Sequence, residues 1–155
     1  MFYYFNLNIL IMDEEIMMKK KLNCILLVDD DESCNYYHQV MLKKMNCAEK
    51  VYLAYDGKEA LDYIQSSLED VFPMPDIIFL DINMPGVNGW EFMEAYEKLD
   101  EKIKQKIVVV MLTSSLNPDD MKKASKYKSI VGFKNKYLEK EVMADLIRQH
   151  FPGYF

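Results

Sequence analysis

Seven polar residues of this chain stand just behind apolar runs, and their types suit the handling of a charged group. Asp29 and Asp30 follow Cys24 to Val28. Asp81 ends Ile77 to Leu80, with Asn83 close behind. Thr113 and Ser114 follow Ile107 to Leu112, and Lys136 comes shortly after Ile130 to Phe133. Taken singly, each has an ordinary reading: Asp29 as a helix cap, Thr113 as a satisfied loop hydroxyl, Lys136 as a surface lysine. The joint pattern carries the signal, because each apolar run delivers polar chemistry to one place. Three converging carboxylates repel and raise one another's pKa unless a cation neutralises them. Oxygen donors with no His or Cys in the set suit a hard ion, Mg²⁺ most simply. A lysine and a hydroxyl beside a carboxylate add what phosphoryl transfer needs, which is charge neutralisation on the equatorial oxygens and an in-line nucleophile. A carboxylate is itself an accepted covalent nucleophile for phosphoryl groups.

These residues need a frame that brings the ends of the runs together. Cys24 to Val28 is an unbroken apolar run, the mark of a strand buried on both faces. Ser33 to Met45 reads as a helix, with Tyr37, Val40, Met41 and Met45 at helical spacing. Val51 to Ala54 is a second strand and Asp56-Gly57 a turn. Lys58 to Leu68 is a helix with Ala60, Leu61, Ile64 and Leu68 inward. Pro73 and Pro75 lead into the third strand, Ile77 to Leu80. Asn88 caps the next helix, whose inward face is Phe92, Ala95, Tyr96 and Leu99. Ile107 to Leu112 is the fourth strand. Asn117-Pro118-Asp119-Asp120 supplies a cap, a proline at the first helical position and acids in the first turn. Ile130 to Phe133 is a short fifth strand. Leu138 to Gln149 is the last helix, burying Leu138, Val142, Leu146 and Ile147. Five strands alternating with five helices predict an α/β fold: a doubly wound five-stranded parallel sheet covered on both faces. In such sheets functional residues gather beyond the carboxyl ends of the strands.

At 155 residues one domain is expected. The net charge of −6 argues against nucleic acid or an anionic membrane as the main partner. Lys19-Lys20-Lys21, Lys43-Lys44 and the group Lys122, Lys123, Lys126 and Lys128 read as solvated helix-face lysines. Cys24, Cys34 and Cys47 are odd in number and lack C-x-x-C spacing, so neither a disulfide framework nor a zinc site is indicated. Reduced thiols and the absence of an export signal fit a cytoplasmic protein. Met1 to Met12 is aromatic and apolar, too short to span a bilayer and without a signal-peptide cleavage site. A start at Met12, Met17 or Met18 is a simpler reading of it than a membrane-touching tail. The expected division is an N-terminal extension over 1–21, the functional domain over 22–150 and a C-terminal tail over 151–155.

From about Leu22 to Gln149 the chain resembles the receiver domain of two-component response regulators, of the stand-alone, chemotaxis-regulator kind. The matching motifs are ILLVDDDES, LDINMPGVNGWE, VVMLTSS and GFKNK. The resemblance implies a (βα)₅ flavodoxin-like fold and a phosphoryl group accepted on Asp81 from a sensor histidine kinase or a histidine phosphotransfer protein. It implies Mg²⁺ held by Asp29, Asp30, Asp81 and the backbone carbonyl of Asn83. Thr113 and Lys136 would answer the phosphoryl oxygens, and Phe133 would turn inward behind Thr113 as the switch. The face made by the helix after Asn117, the fifth strand and the last helix would then be remodelled. Ser114 leaves room for that movement; Asn83 and Ser115 fall where receivers vary and would tune phosphoryl lifetime. In one respect the sequence departs from the family, which usually has a proline with a cis bond after the lysine; here Tyr137 follows Lys136. A cis bond before a non-proline residue costs ~3 kcal/mol, so the bond is either a strained cis or a trans with an altered approach. Lys136 is expected to reach the site in both cases.

No helix-turn-helix or catalytic effector segment is visible, so the expected output is protein contact with an effector, a homodimer being one form of it. Trp90 and Tyr127 are candidate contact aromatics, the alternative for Trp90 being that it covers the flank of the third helix. Three functions follow. The first is a response regulator that catalyses only its own phosphoryl transfer and is not a turnover enzyme. The second is a phosphorylation-independent adaptor. The third, weakest for want of a second Asp two residues beyond Asp81, is a Mg²⁺-dependent aspartyl phosphotransferase or phosphatase.

Overall fold

A computed structural model describes residues 19–154, so the readings of 1–12 and of most of the extension lie outside the described residues. The elements in chain order are β1 (Leu22–Val28), α1 (Glu32–Met45), β2 (Ala48–Ala54), α2 (Gly57–Leu68) and β3 (Ile77–Asp81). There follow α3 (Gly89–Tyr96), α4 (Glu101–Lys104), β4 (Val108–Thr113), α5 (Pro118–Ala124), β5 (Ile130–Asn135) and α6 (Lys140–His150). All pairings are parallel, in the order β2-β1-β3-β4-β5. The direction of winding reverses between β1 and β3, which opens a crevice beyond their carboxyl ends. The doubly wound five-stranded sheet is thus as the alternation predicts, with six helices among the described residues rather than five. The added one is the single turn α4, which Asp100 starts by accepting the Lys102 N–H at 2.8 Å.

Strand periodicity divides the core into two layers. Cys24, Leu26 and Val28 of β1, Ile78 and Leu80 of β3, and Val109 and Met111 of β4 face α2, α3 and α5. Ile25, Leu27, Ile77, Phe79, Val110 and Leu112 face α1 and α6. Central strands buried on both sides explain the unbroken apolar runs. Each Leu, Ile or Phe so buried contributes about 1.5–3 kcal/mol relative to exposure.

Three inward faces differ from the sequence reading. On α1 the buried stripe runs through Cys34, Asn35, His38, Met41, Leu42 and Met45, leaving Tyr37 40% exposed. On α2, Tyr63 and Ser67 are buried while Leu68 is exposed. Tyr63 wins that place because its hydroxyl reaches the Pro73 carbonyl at 2.6 Å, satisfying its polar end. Trp90 is buried, stacked on Tyr127 at 6.0 Å with the Lys123 ammonium over its ring at 4.6 Å. It is a core residue, not an exposed contact aromatic, and Tyr127 is half-buried against the same core.

The loop from β3 to α3 is held at three points. Asn88 and Glu91 form a reciprocal cap, Glu91 N–H to Asn88 Oδ1 at 3.0 Å and Asn88 N–H to Glu91 Oε1 at 3.2 Å. The Gly57 N–H donates to the Val87 carbonyl and the Gly89 N–H to the Ile82 carbonyl, both at 2.9 Å. At Gly89 a side chain would collide with the Asp81 carbonyl oxygen, so only glycine lets α3 start this close to the strand end. Gly89→Ala is expected to cost roughly 1–3 kcal/mol by overpacking against fixed backbone. A lowered urea midpoint with an unchanged m-value checks it.

Candidate metal and phosphoryl-acceptor site

β1 and β3 are hydrogen-bonded neighbours with Val28 opposite Leu80, so Asp29, just after β1, and Asp81, the last residue of β3, come side by side. Both are almost fully buried, at 3% and 1% exposure. Asp30 and Asn83 are exposed at the rim. One carboxylate oxygen from each of Asp29, Asp30 and Asp81 lies within 4.8 Å of the others. β5 brings Lys136 over the pair, its Nζ 3.0 Å from Asp81 Oδ2 and 3.2 Å from Asp29 Oδ1. Thr113 ends β4 beside them. Its carbonyl accepts the Lys136 N–H at 2.8 Å, and its hydroxyl donates to the Ser115 carbonyl at 2.9 Å, within its own loop. Phe133 is half-buried against the α2–α3 layer, and Ser114 is exposed beyond Thr113. The predicted set therefore falls at one edge of the sheet.

The electrostatics are unbalanced. Three carboxylates face one ammonium. Burial first, and then the charge on Asp29, push Asp81 up to about 7 from its ordinary 3.8, against the pull of Lys136 and the Asn83 backbone N–H. Burial works against the charge on Lys136, yet the Asp81 and Asp29 carboxylates outweigh it and raise its pKa. Asp29 Oδ1 takes the Asp31 N–H at 2.9 Å besides the lysine, whereas its Oδ2 is buried with no hydrogen bond. A buried carboxylate oxygen left without a donor, in an all-oxygen cluster, fits a hard divalent cation.

Several residues that shape the site were not singled out by sequence reasoning. Asn35 Nδ2 donates to the Asp29 carbonyl at 2.8 Å, fixing the strand end from α1. His38, also on the buried stripe of α1, accepts the Leu138 N–H on Nε2 at 3.0 Å. Burial pushes His38 down to about 4, with Asp29 and Lys136 opposing one another, so the ring is neutral at neutral pH. Two polar residues spaced i, i+3 on a stripe with Cys34, Met41 and Leu42 are the available signal, but Tyr37 and Val40 fit a competing face. The Lys136–Tyr137 bond is trans, there being no cis bond among the described residues. Tyr137 instead adopts a left-handed φ of 57°, which for a residue with a Cβ costs roughly 1–2 kcal/mol. Lys136 reaches both carboxylates all the same.

The response regulator receiver domain family model matches residues 25–151, and the chain belongs to that family. It is a receiver domain of the response regulators of two-component signalling. Among curated relatives, the probable methanogenesis regulatory protein FilR2 of Methanothrix harundinacea is 35% identical over 69 residues, 44% of this chain and 43% of that protein. Response regulator Rcp1 of Synechocystis is 35% identical over 84 residues, 54% of this chain and 56% of Rcp1. The match thus spans about half the length of these relatives. Among solved structures, a two-component response regulator from Cytophaga hutchinsonii superposes with a TM-score of 0.77 at 29% identity, covering 84% of this chain and 98% of that one. The Mn²⁺-bound form of Rcp1 superposes with a TM-score of 0.66 at 25% identity, covering 82% and 92%. No helix of the described residues is long and apolar enough to cross a membrane.

The raised pKa of Asp81 has a definite sign. Its contribution to stability is full below its unfolded value near 3.8 and is lost as pH rises through about 7. In the metal-free protein Asp81→Asn is therefore expected to raise the melting temperature at pH 8, the gain shrinking to nothing near pH 4. Thermal melts across that range in EDTA check it; a gain that does not vary with pH would contradict the burial account.

Proposed function

We propose that this domain accepts a phosphoryl group on Asp81 from a phosphohistidine of a sensor histidine kinase or a histidine phosphotransfer protein. The observation that carries the proposal is the Asp81 carboxylate, buried at the sheet edge within the acidic cluster and paired to Lys136 at 3.0 Å. The raised pKa makes Asp81 a better nucleophile than an ordinary carboxylate once ionised, and ionisation is favoured when the cluster is neutralised. In the transfer, an Asp81 oxygen attacks phosphorus. The new O–P bond forms as the N–P bond to the donor imidazole breaks, and the imidazole leaves with a proton from solvent. Lys136 stays as the fixed positive charge on one phosphoryl oxygen, and the Thr113 hydroxyl turns from the Ser115 carbonyl to another.

Asp29, Asp30, Asp81 and the Asn83 carbonyl would hold Mg²⁺. That ion supplies charge neutralisation on the transferring group. The manganese in the Rcp1 structure supports a divalent ion here. Release of Thr113 from its loop leaves space that the Phe133 ring takes up, and the face of α5, β5 and α6 changes with it. The added charge is satisfied in only one arrangement, so phosphorylation shifts the population toward it. On this reading residues 22–150 are the working receiver, acting in the cytoplasm, and the output is binding of an effector protein or of a second copy. The domain catalyses its own modification and does not turn over.

Incubation with Mg²⁺ and phosphoramidate, followed by intact mass measurement, tests this. One added phosphoryl group is expected in the native protein and none in Asp81→Asn. Asp30→Ala should weaken Mg²⁺ affinity at least about ten-fold, since it removes a charged ligand, and titration calorimetry reads it. No mass gain with phosphoramidate or a histidine kinase would favour a phosphorylation-independent adaptor. Repeated hydrolysis of a phosphoester would favour a phosphatase.

A further inference from the structure

The Lys136 side chain reaches the site from a loop with little to hold it. β5 ends at Asn135 and α6 begins at Lys140. Between them Tyr137 sits in left-handed backbone without being a glycine. Glu139, the residue before α6, makes no side-chain cap. Beyond the Lys136 N–H, which the Thr113 carbonyl accepts, what restrains this loop comes from α1. The Leu138 N–H donates to His38 Nε2 at 3.0 Å and the Leu138 carbonyl accepts the Tyr37 hydroxyl at 3.2 Å, so both polar backbone groups of Leu138 are satisfied by consecutive side chains of one helix. Tyr137 packs edge-on against Tyr37 at 5.4 Å, and its hydroxyl donates to Asp31 Oδ2 at 3.3 Å, at the start of α1.

Because Nε2 accepts, the His38 proton is on Nδ1, which points at Cys34 Sγ 3.7 Å away. The ring is 2% exposed, and Leu138 beside it 3%. A buried N–H that loses its acceptor has no water to replace it, so the loop must move to find one. Any such movement is carried two residues back to Lys136, whose own N–H is fixed to Thr113 at 2.8 Å and whose ammonium bridges Asp29 and Asp81.

We propose that His38 is a positioning residue: by accepting the Leu138 N–H it sets the loop that aims Lys136 at Asp81. The proposal rests on the phosphoryl-acceptor reading for its functional consequence but not for its structural content, and the two are tested apart. His38→Phe keeps a buried ring and removes the acceptor; His38→Gln offers Oε1 near the place of Nε2. In the metal-free protein, the proton–nitrogen NMR signal of the Lys136 ammonium reports its ion pairing directly. It is expected in the native protein and in His38→Gln, and is expected to shift and broaden in His38→Phe.

With Mg²⁺ and phosphoramidate, the rate of mass gain should fall roughly ten-fold in His38→Phe, the scale of one lost buried hydrogen bond, and return to within a few-fold in His38→Gln. In a Lys136→Met background the His38→Phe change should have no further effect, since coupled residues are not additive. Should His38→Phe fail to fold, Tyr37→Phe, which removes only a hydroxyl from a half-exposed ring, is expected to act in the same direction on both readouts. An unaltered ammonium signal in His38→Phe, or rate losses that multiply with Lys136→Met, would overturn the proposal. A native protein that takes up no phosphoryl group would refute the acceptor reading alone, and the ammonium signal would still decide the role of His38.

Discussion

Two buried carboxylates, Asp29 and Asp81, share the ammonium of Lys136. Everything else at this edge of the sheet follows from the charge that this arrangement leaves over. With Asp30 added, three negative groups face one positive group, a difference of two charges, which is what one divalent cation supplies. Without a cation the site corrects part of the imbalance with a proton, and this is the physical meaning of an aspartate held near 7. The site is left short of positive charge.

The fold pays for this incompleteness by making the surroundings rigid. Central strands buried on both faces fix the backbone at Val28 and Leu80, so the two acids cannot separate to relieve their repulsion. Asn35 ties down the Asp29 carbonyl, and the start of α3 is pressed against the Asp81 carbonyl through Gly89. Lys136 is aimed by a loop that α1 grips at Leu138. The parts that the proposed switch would move lie on the other side of the site. The Thr113 hydroxyl is engaged only with its own loop, and Phe133 is half-buried. On the proposed reading, the rigid acidic half works against an adjustable β4–β5 half, and the two together make a two-state switch.

Much of the frame was legible in the sequence. The apolar runs, the caps at Asn88 and Asn117, and the polar residues behind each strand gave the element order and brought Asp29, Asp30, Asp81, Thr113 and Lys136 to one edge. These features are local or periodic, and a pattern of period 2 or 3.6 carries them. What was not legible depends on contacts far apart in the chain. The inward face of α1 is not settled by spacing, because Tyr37 and Met41 fit a helical stripe as well as His38 and Met41 do. Only the position of Leu138, a hundred residues on, decides between them. Trp90 stays open between a contact and a cover for its own helix's flank, because nothing in the sequence places Tyr127 and Lys123 over it. The break in the family pattern at Tyr137 was visible, but its resolution, a trans bond with a left-handed tyrosine braced by α1, was not.

The acidic cluster lacks a cation's worth of charge, and Asp81, raised to about 7, makes up part of it with a proton. Titration calorimetry of the native protein with Mg²⁺, repeated in buffers of different ionisation enthalpy, measures this directly. One Mg²⁺ is expected to bind with release of about half a proton near pH 7, the fraction falling toward none by about pH 9 as Asp81 becomes ionised beforehand. Binding that releases no proton at any pH, or no binding at all, would mean that Asp81 does not stand in for the missing cation.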